Sequence, residues 1–139
     1  RAEWQRRHDA SAQAADFDAA QARGGIGALT AAMAGYKAKL LTDRPRVATR
    51  KASEMALAVV NAALPDTIGG SADLTGSNLT KTRDMRAVSR SDYGGRYIHY
   101  GIREHGMAAA MNGIALHGGF RAYGGTFLAF ADYCRPSIR

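Results

Sequence analysis

Tyr97-Ile98-His99-Tyr100-Gly101-Ile102-Arg103-Glu104-His105-Gly106-Met107 is the stretch that decides the fold. Tyr97 to Tyr100, rich in aromatic and β-branched side chains, read as a short strand, and Gly101 permits a tight turn. From Arg103 the texture changes. Met107, Met111 and Ile114 recur at helical spacing as far as Gly118-Gly119, a glycine stop, so a helix is predicted over 103–117. Further on, Phe120 to Tyr123 read as another strand, and Thr126 opens a helix carrying Phe127, Leu128, Phe130 and Tyr133. Upstream, Thr67-Ile68-Gly69-Gly70-Ser71-Ala72-Asp73-Leu74 reads as a short buried strand that runs into a loop. Before it, Ala52, Met55, Ala56, Val59, Val60 and Ala63 form the stripe of a helix that Thr49 would cap and Pro65-Asp66 would end. Residues 75–96 are polar and glycine-rich, as a long functional loop would be. Helix, strand, loop, strand, helix, strand, helix is the order of an α/β domain, with a mainly parallel sheet flanked by helices.

Residues 1–44 have few large apolar side chains. Leu29, Met33, Tyr36 and Leu40 predict an amphipathic helix ending near Leu41, and Gly24-Gly25 separates it from a more polar helix, roughly Asp9 to Arg23, with Ser11 as a possible cap. This segment reads as a surface connector closed by Asp43-Arg44-Pro45. Arg1 in place of Met, and an unfinished helical pattern before Arg139, predict a piece of a longer polypeptide. No apolar stretch approaches the ~18 residues of a membrane span. A single cysteine, Cys134, rules out an internal disulfide and fits a reducing, cytoplasmic setting; among Phe130, Tyr133 and Ile138 it reads as a buried, inert thiol. Nineteen Lys and Arg against twelve Asp and Glu give a net charge of +7, which suits anionic small substrates. The basic residues are scattered without interleaved aromatics, which argues against nucleic acid.

Glu104 lies one turn before Met107 and Ala108 and shares their inward face. An inward carboxylate is unfavourable unless paired or used, although the dipole at a helix N-terminus favours its anion by ~0.3–1 kcal/mol. Spacing leaves two readings open: a terminal acid paired with Arg103 or Arg83, or a carboxylate reserved for chemistry. Phe127, Phe130 and Tyr133 would by themselves be core, and Asp73 a turn residue. Arg50 falls in a first helical turn, where a cation fits the dipole poorly. His99, His105 and His117 include no i,i+4 pair, so no metal site is predicted.

Arg50-Lys51-Ala52-Ser53, Gly69-Gly70-Ser71-Ala72-Asp73-Leu74, Ser77-Asn78-Leu79-Thr80, Tyr97 to Met107, and Leu116-His117-Gly118-Gly119-Phe120 stand in the order of similar segments in transketolases. From about Val47 to Arg139 the chain resembles that family, and separated motifs in one order are more specific than a lone glycine motif. The resemblance implies part of a thiamine-diphosphate-binding fold, with 1–44 a helical interdomain connector and 45–139 the N-terminal part of the pyrimidine-binding domain. It implies that Glu104 is catalytic, sharing a proton with N1′ of the cofactor's aminopyrimidine so as to favour the imino tautomer. Phe130, Phe127 and Tyr133 would then wall the pyrimidine, with Phe130 foremost, and Asp73 would lie near the cofactor. Arg50 and Ser77 would clamp the phosphate of a sugar phosphate through a guanidinium fork and a hydroxyl. The family's Gly-Asp-Gly and following Asn, which hold Mg²⁺ or Ca²⁺ and the diphosphate, do not occur here and belong to the family's other domain. The implied whole is a cytoplasmic homodimer with active sites between subunits, moving a two-carbon ketol unit between sugar phosphates in the pentose phosphate pathway and the Calvin cycle. The chain alone is expected to be inactive. His105 replaces the Phe of many members. A dihydroxyacetone synthase, or a non-catalytic α/β interaction domain that keeps only the sheet, are the alternatives.

Overall fold

Alanine, glutamine and arginine, all good helix formers, dominate residues 1–44. The computed structural model, which describes residues 1–139, folds them as α1 (Ala2–Asp9), α2 (Ala14–Gln21) and α3 (Ile26–Asp43). The single helix expected from Asp9 to Arg23 is instead the end of α1, a turn, and α2. Ser11 makes that turn: its Oγ accepts from Gln13 N–H at 3.1 Å and its carbonyl from Ala14 N–H at 3.1 Å. Trp4 stacks on His8 with ring centroids 5.2 Å apart, and Phe17 closes on both, so α1 folds back on α2. Gly25, at φ 86°, turns the chain into α3. Leu29, Met33, Tyr36 and Leu40 form the less exposed face of α3, which packs on α4 (Thr49–Ala63). Thr49 does not cap α4. The extended Ala48 occupies that position and Thr49 is the first helical residue.

Beyond α4 the chain alternates as the sequence predicts. Strand β1 (Thr67–Ser71) leads through a one-turn helix, α5 (Thr75–Asn78), and an irregular loop to β2 (Tyr97–His99). Helix α6 (Glu104–His117) carries it to β3 (Arg121–Ala122), and α7 (Ala131–Ile138) follows. Leu128–Phe130 form a 3₁₀ turn before α7, so Phe127 precedes the helix that was expected to start at Thr126. The sheet is parallel throughout in the order β2-β1-β3. Gly69 pairs with Tyr97 and Ser71 with His99 on one side, Thr67 with Arg121 on the other. The crossover from β2 through α6 carries the chain past β1 to β3 on its other side, and ligands of such sheets bind outside the carboxyl ends of the strands. The connector is tied in through Arg121, which pairs with Asp66 and donates to the carbonyls of Arg23 and Gly24. Arg23 in turn donates to the Ala115 carbonyl.

The sheet is centred on Gly69 and Gly70. Successive strand residues face opposite sides, and each glycine is covered by a tyrosine. A Cβ on Gly69 would lie 2.0 Å from Cζ of Tyr123, and one on Gly70 would lie 2.3 Å from the Tyr100 ring and 2.6 Å from the Ile98 carbonyl oxygen. Because that carbonyl is backbone and cannot swing aside, Gly70→Ala is expected to destabilise the full-length protein by about 1–3 kcal/mol. Gly113→Ala in α6, where an added Cβ meets nothing within 4 Å, should instead stabilise by roughly 0.5–1 kcal/mol. Thermal midpoints of the two variants check this, and equal midpoints would mean that Tyr100 does not pack on β1.

Candidate active site

Glu104 is the first residue of α6 and is 8% exposed. Gly101, at φ 70°, makes the turn from β2 that delivers it there. Its carboxylate forms no ion pair. Arg103 donates instead to the Tyr100 carbonyl at 3.0 Å, so the paired-acid reading of Glu104 is not what the structure forms. Glu104 lines a cleft of about 530 Å³ with Ala72, Asp73, Leu74, Ile102, Phe130 and Tyr133. Asp73 is an exposed residue of this cleft at φ 61°, a left-handed conformation that Asp tolerates better than most residues. Beneath the carboxylate, Cys134 Sγ donates to the Glu104 carbonyl at 3.3 Å. Burial first, and then the charge of Glu104, push the Cys134 thiol above its ordinary value.

A second cleft, of about 690 Å³, adjoins the first and brings Arg50 and Ser77 together with Ser53, Asn78, Thr126 and Phe127. Its wall includes Ala48, Thr49 and Arg50, the N-terminal end of α4, so the positive end of the helix dipole adds to the guanidinium charge. The hydroxyls of Thr49, Ser53 and Ser77 complete a set of donors suited to an anion. The three aromatic residues divide between the clefts. Phe130 and Tyr133 line the Glu104 cleft, whereas Phe127 lines the Arg50 cleft and stacks on Phe130 with centroids 6.2 Å apart at 23°. Tyr133 continues the ladder at 6.2 Å from Phe130. The histidines go to separate places: His99 edge-on to Tyr97, His105 Nδ1 against Ser137 Oγ at 2.9 Å, and His117 Nδ1 at the Gly118 carbonyl. The residues to which the sequence assigned no role are polar ones: Asn78, Thr80 and Tyr123, which line the Arg50 cleft, and Asn61, which reaches Tyr123 from α4. Asn61 is the most telling case, since it is buried in α4 and donates to Thr82 and Tyr123. An Asn within an apolar helical stretch, four residues before Pro65, carries no pattern that would reveal it.

A parallel α/β domain with an unpaired acid and aromatic rings at the head of its central strands defines a cofactor-binding domain. The family description "Transketolase, pyrimidine binding domain" matches residues 45–139. The chain is 66% identical over its whole length to the transketolase of Cereibacter sphaeroides and 55% identical to that of Rhodobacter capsulatus. It spans 21% of each of those relatives, about a fifth of their length. Among solved structures, the transketolase of Campylobacter jejuni superposes with a TM-score of 0.74 at 29% identity, over 98% of this chain and 20% of that one. Transketolase from Pichia stipitis in complex with sedoheptulose-7-phosphate gives 0.64 at 50% identity, over 66% of this chain and 14% of that one. The chain belongs to the transketolase family.

The proximity of Glu104 to Cys134 can be read chemically. Neutralising the carboxylate by Glu104→Gln removes one cause of the raised thiol, so more thiolate exists at a given pH and alkylation of Cys134 should speed up several-fold between pH 8 and 9. Mass spectrometry of the Cys134 peptide measures the rate. No change would place the carboxylate away from the thiol.

Proposed function

We propose that this chain is the connector (residues 1–44) and the first part of the pyrimidine-binding domain (45–139) of an enzyme that transfers a two-carbon ketol unit from a ketose phosphate to an aldose phosphate. The observation that carries this reading is the buried, unpaired Glu104 carboxylate in an aromatic cleft beside a basic one. Family membership implies thiamine diphosphate, and the lining of the Glu104 cleft suits it. Phe130 and Tyr133 offer faces for a flat heterocycle, and Glu104 offers an acceptor with no competing partner. When bound, the cofactor supplies the nucleophilic carbon for ketol transfer.

These placements support the following roles for this chain's own residues. Glu104 would hold the aminopyrimidine of the cofactor through its carboxylate and exchange a proton with it, as a general acid–base group. Phe130 and Tyr133 orient the ring and keep water from the carboxylate, and Phe127 supports Phe130 from behind. Arg50 and Ser77 hold the substrate's phosphate, aided by the α4 N-terminus. Asp73 borders the cofactor. The diphosphate and its Mg²⁺ or Ca²⁺ fall to another domain, and the exposed Ile102, Leu128, Tyr133 and Ile138 are covered by that domain or by the second subunit of a homodimer. The setting is the cytoplasm, and the metabolism that of pentose phosphates, shared with the Calvin cycle.

In the full-length enzyme, Glu104→Gln is expected to lower turnover by about 10²–10⁴-fold, with cofactor affinity changed far less. Steady-state ketol transfer and a cofactor titration measure the two, and unaltered turnover would remove Glu104 from the chemistry. Arg50→Ala should raise KM for a phosphorylated ketose about 10–100-fold, the scale of charge-assisted hydrogen bonds, and leave kcat nearly constant. An unchanged KM would end the phosphate assignment.

A further inference from the structure

Ser71 is the last residue of β1, is 0% exposed, and lies behind both clefts. A hydroxyl has one donor and two acceptor sites, and all three are used. Ser71 Oγ donates to the Gly125 carbonyl at 3.0 Å, accepts from Leu74 N–H at 3.1 Å, and accepts from Asn78 Nδ2 at 3.0 Å. These partners sit on separate walls. Leu74 borders the Glu104 cleft, while Asn78 and Gly125 border the Arg50 cleft. Asn78 follows Ser77 directly in α5, and Gly125 lies two residues before Phe127. The arrangement continues outward through Thr80, whose Oγ1 donates to Asn78 Oδ1 at 2.9 Å and stands 2.7 Å from Tyr97 Oη. Packing leaves little slack, because a Cβ on Gly125 would lie 2.4 Å from Thr80 Cγ2.

Resting on the phosphate reading of Arg50 and Ser77, we propose that Ser71 is a positioning residue. Its hydroxyl sets the distance between the α5 turn that bears Ser77 and the Gly125–Phe127 segment opposite, and thereby the width of the phosphate cleft. Ser71 touches no substrate itself. Without its hydroxyl, Leu74 N–H and the Asn78 amide lose their acceptor. Gly125 stays on β1 through the bond from Ala72 N–H at 3.2 Å and its own N–H to the Gly70 carbonyl at 3.1 Å, whereas α5 is left with the Thr75 Oγ1 to Tyr97 Oη contact at 2.9 Å, so α5 is the side that shifts while Glu104, on a different element, stays in place.

The test compares Ser71→Ala with Arg50→Ala in the full-length holoenzyme, using a phosphorylated ketose and an unphosphorylated ketose as donors. Ser71→Ala is expected to raise KM for the phosphorylated donor about tenfold, with KM for the unphosphorylated donor and both kcat values within about twofold. A purely structural role would move both donors together, and that result, or no change, overturns the proposal. If Arg50→Ala separates the donors and Ser71→Ala does not, the Ser71 inference alone falls. If Arg50→Ala fails to separate them, the phosphate reading falls and takes this inference with it. Should Ser71→Ala not fold, amide exchange in the wild-type holoenzyme decides: slow exchange at Leu74 supports the hydroxyl's hold on α5, and exchange at the rate of an open loop overturns it.

Discussion

Two tyrosine rings close on the backbone of β1 where Gly69 and Gly70 leave no side chain, and the rest of the domain is arranged around that contact. Glycine in a strand interior loses conformational entropy and packs nothing itself, so the sequence gives up local strand propensity at its central position. What it gains is closeness. Tyr123 reaches across β1 and donates its hydroxyl to the Thr80 carbonyl at 2.8 Å, which pins the start of the long loop. Asn61 of α4 donates to the same hydroxyl at 3.2 Å. One ring therefore joins a helix, the central strand and the loop, and burial pushes its phenol above the ordinary value. Replacing the glycines by larger residues would part these elements together, whichever of them later carried function.

That closeness allows two clefts of opposite character to sit side by side. One holds a carboxylate, the other a guanidinium and a helix N-terminus. The Phe127–Phe130 stack, at 23° and 6.2 Å, stands between the clefts. A sequence spacing of three suggested one continuous aromatic face, whereas a 3₁₀ turn at Leu128–Phe130 rotates Phe127 to the other side.

The same contrast describes what was legible in the sequence. Long periodic patterns were: the stripe at Leu29, Met33, Tyr36 and Leu40, the Met107-Met111-Ile114 face, and the Gly118-Gly119 stop all correspond to elements in place. The parallel order followed from the alternation of strands with helices. Boundaries governed by a single hydrogen bond were not. Ser11 breaks a helix that composition would continue, Ala48 rather than Thr49 occupies the cap, and the turn before α7 has no periodic signature. For the site, residues with distinctive chemistry announced themselves, and the structure brings Arg50 together with Ser77 and Glu104 together with Phe130, Tyr133 and Asp73. The polar residues behind them did not. Ser71, Asn61 and Thr80 matter through partners distant in sequence, and no local pattern reports a long-range hydrogen bond.

Glu104 shows why a buried acid can remain unpaired in such a frame. A neighbouring arginine could pair with it, yet Arg103 is committed to the Tyr100 carbonyl at 3.0 Å. The thiol of Cys134 donates to the backbone carbonyl of Glu104 rather than to its carboxylate. What remains is the N-terminal end of α6, whose dipole attracts negative charge only weakly, by roughly 0.3–1 kcal/mol. The carboxylate is therefore left at the cleft with no side-chain partner that an incoming donor would have to displace.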